Sequence, residues 1–377
     1  MGKISLWGDF KVDSPQEILV DTEITEIIKR NDYSVVNFEA PVHSKSELVT
    51  KSGPNISQSE DSPKWIEKHG FNVVSIANNH TFDYGLSGYE KTRSLFSSAM
   101  IAGAGNWEEA YSCKILECSD GIRVCLICCT HYEFGVLADE IIQKNDIGCA
   151  WVLSQEIVKR IISYKNDASI DAIVVYSHGG VEYMKHPLPE WRNVYKSFIM
   201  LGADAVIASH PHVPQGWEIY EDKPIFYSLG NFCFQKEGVL PEHWNESLCC
   251  ELIIEQKHQV KFQVTPIVYD SLNCKLSVNK EDSFEKYLYN LNGVLNDSEK
   301  YLDYVNKYLL KLLPQYMGQF SRSGFLYYSS VSCWLKGLMD FIKGRKVFNK
   351  AHLVNNIRCE THRWAILRAM SVKYGIR

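Results

Sequence analysis

The chain has 377 residues, enough for a full-sized core. With 45% hydrophobic and 23% charged residues and a net charge of −5, it is not a disordered chain, and no nucleic-acid partner is expected. No stretch reaches the roughly 18 apolar residues of a membrane span. The opening "MGKISLWGDF" is broken early by Asp9 and lacks an apolar signal core, so a cytoplasmic protein is expected. Its twelve cysteines are then expected as reduced, buried thiols.

In chain order, apolar runs of strand length fall at Ile4–Trp7, Ser34–Phe38, Asn72–Ala77, Ile101–Gly103, Val124–Cys129, Ala172–Tyr176, Ala205–Ala208 and Ile225–Ser228. Helix-period segments lie between several of them, at 15–30, 85–99 and 189–201, the last stopped by Gly202. Strands alternating with helices indicate an α/β fold. At 247–269 the pattern changes to two strands around Lys257 and His258, a hairpin signal. After about residue 275 apolar groups recur three and four apart to the end. The domain reading is therefore a core at 1–270 and a helical extension at 271–377.

Five of the apolar runs end alike. They close on Asp9, on Asn37 and Glu39, on Asn78, Asn79 and His80, on His178, and on His210 and His212. In open α/β sheets ligands collect beyond the carboxyl ends of strands. A lone histidine there is usually structural, but Asp, Glu, Asn and His together form the donor set of Mn, Fe or Zn. In "SHPH", Pro211 keeps His210 out of helical backbone, so the two imidazoles can serve neighbouring ions.

These segments resemble the CapA family, the capsule and poly-γ-glutamate synthesis proteins of the calcineurin-like metallophosphoesterase superfamily. The matching pieces are "GDF", "VVNFEAPV", "ANNHTFDYG", "GAG", "SHGGVEY" and "GADAVIASHPHVPQGWEIYEDKPIFYSLGNFCF", in order over about residues 3–270. The resemblance implies a four-layer α/β/β/α metallophosphoesterase-like sandwich with a C-terminal helical extension. It also implies one or two divalent ions held by Asp9, Glu39, Asn79, His178, His210 and His212, with Glu39 bridging. His80 stands where the family has an acid or anion-stabilising group, and Asp83 falls in the same motif. Asn37, Glu182 and Asn231 are placed with substrate. Lys11 stands where the wider superfamily has a histidine, so the first position is expected to recruit His43, His131 or Asp83, or to stay weak or empty.

The expected function is metal-dependent hydrolysis of a phosphoester or of an anionic polymer linked to capsule or poly-γ-glutamate, by activated water with His80 as acid. The competing reading is a non-catalytic assembly factor whose metal site only binds the carboxylates or phosphates of the polymer. Either way the partner is an anionic small molecule or polymer. Residues 336–377 carry +8 against −13 for the rest, beside apolar Trp334, Leu338, Phe341 and Ile342 at helical spacing. Such a helix either packs its apolar face in a core or makes peripheral contact with an anionic membrane.

Overall fold

The structure, a computed structural model, describes residues 1–138, 146–320, 331–343 and 350–376. Among the described residues two large sheets pack face to face. One runs in the order Leu19–Val20, Lys275–Val278, Gln259–Asp270, Glu246–Gln256, Gly2–Lys11, Tyr33–Phe38, Val73–Ser75, Met100–Ala102. Asn231–Phe234 also pairs with Gly2–Lys11. The other runs Pro214–Tyr220, Lys223–Leu229, Ala205–Ser209, Ala172–His178, Arg123–Thr130, Lys114–Glu117.

Side-chain alternation makes the layers. In Arg123–Thr130, Val124, Leu126 and Cys128 face Ile4, Leu6, Val35 and Val73 of the opposite sheet. Cys125, Ile127 and Cys129 point outward, onto Trp191, Tyr195 and Phe198 of the helix Pro189–Leu201 and Ile157 and Ile161 of the helix Gln155–Lys165. The other sheet turns Trp7, Val36 and Val74 outward, onto Ile24, Ile27 and Ile28 of the helix Thr22–Lys29 and Tyr89 of Gly85–Ser94. The fold is an α/β/β/α sandwich with C-terminal helices.

The expected strands are present, as is the hairpin, Glu246–Gln256 against Gln259–Asp270. Gly202, at φ +125°, ends Pro189–Leu201. The helix expected at 15–30 is shorter: Pro15–Glu17 is a 3₁₀ turn and Leu19–Val20 a strand, so the helix begins only at Thr22. Leu19 bonds through its N–H to Cys274 O at 2.8 Å, a distant pairing that periodicity does not show. The expectation that every cysteine is free is corrected at Cys113 and Cys125, which form a disulfide. The antiparallel pairing Lys114↔Leu126 and Ile115↔Cys125 sets the two diagonally, with Cα atoms 5.8 Å apart.

Beyond the hairpin lie the strand Lys275–Val278 and the helices Asp282–Leu295, Ser298–Phe320, Val331–Ile342, Lys350–Arg358 and Glu360–Tyr374. Tyr301, Val305, Leu309 and Leu313, with Ala365 and Ala369, join the core on the outer face of the second sheet. On Val331–Ile342 the side chains Val331, Leu335, Met339 and Ile342 are exposed. Phe341's side chain and residues 344–349 of the basic segment lie outside the described residues. No helix among the described residues is long and apolar enough to cross a membrane.

Candidate metal centre

Strand register gathers the polar ends. Asp9 pairs with Asn37 and Asn231, and His178 with Ser209 and Thr130. Glu39 follows its strand end, and His210 and His212 follow Ser209. Gly8 allows the first strand to approach Gly230: a Cβ there would lie 1.8 Å from Gly230 O. His210 at φ +103° and His212 at φ +59° hold backbone that side-chain-bearing residues rarely adopt. Both flank Pro211, and such strain concentrates at functional sites.

Two donor groups share Glu39. One is Glu39, His178 and His210; the other is Asp9, Glu39 and His212. In each, one donor atom per residue lies within 4.8 Å of the others. Asn79 completes the first: its Oδ1 is 3.1 Å from His178 Nε2, which is also 3.1 Å from His210 Nδ1. His212 Nε2 is 3.4 Å from Glu39 Oε1, and His212 Nδ1 is 3.6 Å from an Asp9 oxygen.

A second layer aims these donors. Asn37 Nδ2 donates to Asp9 Oδ1 at 2.7 Å, and the His210 N–H donates to Asp9 Oδ2 at 3.1 Å. Asn78 Nδ2 donates to Asn37 Oδ1. His178 Nδ1 lies 3.1 Å from Ser209 Oγ, and His212 Nδ1 lies 2.9 Å from Asn231 Oδ1. The Asn231 oxygen puts the ring proton of His212 on Nδ1 and its lone pair on Nε2, while Ser209 Oγ and Asn37 Nδ2, 3.2 Å away, orient the His178 ring.

Glu39 tests whether a cation fits. It is fully buried, and neither of its carboxylate oxygens has a hydrogen-bond partner. Burial, with Asp9 beside it, pushes its pKa well above the ordinary carboxylate range. Burial also raises Asp9, while burial and the surrounding imidazoles hold His178 and His210 well below the usual histidine value. Every one of these groups is driven toward its neutral form. Divalent ions among them would reverse the cost for the carboxylates and would use the imidazoles as they stand. The donor set suits such ions; their identity is open between Mn, Fe and Zn.

His80 and Asp83 sit beside Asn79. His80 Nδ1 is 2.7 Å from Asp83 Oδ2, and Lys51 Nζ, itself buried, pairs with Asp83 and lies 4.3 Å from the Phe134 ring centroid. Burial and Lys51 lower the His80 pKa, against the pull of Asp83. A cleft of about 350 Å³ lined by Lys51, Asn79, Asp83, Leu86 and Phe134 opens here.

The structure thus brings Asp9, Glu39, Asn79, His178, His210 and His212 together, with His80 and Asp83 adjacent. Asn37 and Asn231, expected at substrate, are buried behind Asp9 and His212, their amides already bonded. Glu182 is exposed at the rim. None of the recruits considered for the Asp9 group joins it. His43 is exposed and packs on Tyr84, Asp83 is held by His80 and Lys51, and His131 lies against His210. Lys11 instead bonds Asp13 and Gln235 O.

Sequence reasoning passed over Lys51, Glu133, Cys359 and His362. Glu133 accepts from Asn79 Nδ2 at 3.0 Å and is 3.1 Å from His131 Nε2. "HYE" follows the strand Arg123–Thr130 as the other polar ends follow theirs, and that is the signal the sequence carries. Lys51, Cys359 and His362 come from segments with no such pattern.

The chain is 31% identical over 220 residues to "Capsule biosynthesis protein CapA" of Bacillus anthracis, covering 56% of this chain and 53% of that protein. It is 29% identical over 248 residues to "PGA biosynthesis protein CapA" of Bacillus subtilis (strain 168), covering 65% of this chain and 63% of that one. The matched region thus spans about half to two thirds of these relatives' length. The crystal structure of TT1561 of Thermus thermophilus superposes with a TM-score of 0.36 at 8% identity, over 70% of this chain and 98% of that one. A family model described as bacterial capsule synthesis protein PGA_cap matches residues 11–236, more than half of the sequence, and the chain belongs to that family.

Proposed function

We propose that the chain is a metal-dependent hydrolase acting on a phosphoester or on an anionic polymer of capsule or poly-γ-glutamate metabolism. The observation that carries this is Glu39, a buried carboxylate without hydrogen bonds shared by two donor groups. Bound divalent ions supply positive charge for an anionic substrate oxygen and lower the pKa of water. The residues of the chain do the rest. Asn37 and the His210 N–H fix Asp9, while Ser209 and Asn231 orient the rings of His178 and His212. Asp83 holds the Nδ1–H of His80 and leaves the lone pair on Nε2. With its pKa held down, His80 is suited to take at Nε2 the proton released by the attacking water and to pass it to the leaving group. The names of the Bacillus relatives support an anionic polymer as substrate class.

The test is metal analysis of the purified chain, then assays on a phosphodiester, a phosphomonoester and poly-γ-glutamate with Mn²⁺ added. Turnover abolished by chelator, restored by Mn²⁺ and lost together with metal in Glu39→Gln is expected. Metal uptake with no turnover on any of the three would favour the polymer-binding assembly role.

A further inference from the structure

A second cluster of donors adjoins the centre and comes from the other end of the chain. The helix Glu360–Tyr374 begins just after Cys359, and its first turn carries His362. One donor atom each of Glu133, Cys359 and His362 lies within 4.8 Å of the others. His362 Nδ1 is 3.0 Å from Asn356 Oδ1, and its Nε2 faces Glu133 Oε1 at 3.5 Å. Cys359 is fully buried, its Sγ 3.9 Å from His131 Nδ1. His131 Nε2, also fully buried, lies 3.1 Å from Glu133. A buried thiol, two imidazoles and a carboxylate converging in this way point to a ligand.

The segment is clamped in place. Glu360 accepts from the Tyr132 N–H at 3.0 Å and from Trp151 Nε1 at 3.2 Å. Thr361 Oγ1 accepts from Trp191 Nε1 at 3.0 Å and lies 3.1 Å from His131 Nδ1. Asn355 accepts from the Phe134 N–H and donates to Glu133. Glu133 also accepts from Asn79, so the cluster continues directly into the centre built around Glu39.

We propose that Glu133, Cys359 and His362 form a separate cation site, with zinc as its ion, that ties the C-terminal helix to the metal centre. A thiolate, an imidazole and a carboxylate make a three-donor zinc set that leaves a fourth position open. The thiolate selects a softer ion than the oxygen and imidazole donors around Glu39 do. Cys359 and His362 lie outside residues 11–236, so the family likeness does not assign them.

The sulfur gives the site its own signature. The full chain, reduced and freed of metal, is titrated with Co²⁺ and followed by near-ultraviolet absorption. A thiolate-to-cobalt charge-transfer band is expected in the wild type. Cys359→Ser should abolish the band and about one equivalent of cobalt. His362→Ala, at a half-buried position, should weaken the band while the protein stays folded. Glu39→Gln should lose cobalt and keep the band. A wild type without the band, or a band that persists in Cys359→Ser, overturns the site. Cobalt uptake without the band would overturn this site alone and leave the Glu39 centre standing.

Discussion

Asn79 Oδ1 lies 3.1 Å from His178 Nε2, which is also 3.1 Å from His210 Nδ1. Asn79 Nδ2 donates to Glu133 at 3.0 Å, which turns Oδ1 toward the histidines. An amide oxygen and two imidazoles converging beside the buried Glu39 carboxylate form a donor set for a divalent ion. Asn79→Ala and His178→Ala should therefore lower metal content and activity together. The affinity loss should be at least the roughly 10–100-fold typical of losing an outer-shell partner, measured by metal titration of the stripped protein.

Gly8 makes the centre geometrically possible. Its absent side chain lets Asp9 N bond Gly230 O at 3.0 Å, which brings Asn231 alongside Asp9. Gly8→Ala drives a methyl into that carbonyl and should cost about 3 kcal/mol or more, since neither backbone can yield. Chemical denaturation against the wild type measures it. Equal stability would show that the two strands separate without cost.

Much of this was legible because strand ends are local. A run such as "AIVVYSH" shows both the buried strand and the polar residue that leaves it. Period-two alternation likewise assigns Leu126 to one face and Ile127 to the other. Legibility failed where the partner is far away in sequence. Leu19–Val20 is a strand only because Lys275 and Leu276 pair with it, and Cys113 meets Cys125 only through the register of their strands. The same holds for Asn37 and Asn231. Their polarity was visible, but whether they face substrate or support a ligand depends on which atoms come to lie 2.7 and 2.9 Å away. Cys359 and His362 are brought to Glu133 by packing of a helix whose local pattern resembles any other.

The His80–Asp83 pair separates chemistry from metal binding. His80 is not among the donor groups around Glu39. His80→Ala should lower turnover about 10²–10⁴-fold while metal content stays unchanged. Asp83→Asn should give a smaller loss of the same kind, since Asp83 orients the ring and also pairs with Lys51. Loss of metal from His80→Ala would reassign it as a ligand.

Glu67 governs acid stability at a distance from the site. It accepts from the N–H groups of Ser97, Ser98 and Ala99 at 2.7, 2.6 and 2.9 Å, and from Ser97 Oγ at 2.6 Å. Burial pulls its pKa up, but these bonds win and bring it to about 2, below the ordinary 4.5. A depressed carboxyl stabilises the fold above its unfolded pKa and ceases to do so as pH falls through the folded one. Glu67→Gln should thus be less stable at pH 7 by about 1 kcal/mol, the solvent-screened end for bonds to a charged group. The gap should narrow from pH 4.5 down to about 2 in melting curves of both proteins.

The most direct measurement is anomalous diffraction from crystals grown with Mn²⁺. The expected map has a peak on each side of the Glu39 carboxylate, one among Asn79, His178 and His210 and one between Asp9 and His212. Glu39 without a cation on either side, with any anomalous signal only elsewhere on the protein, would contradict the account.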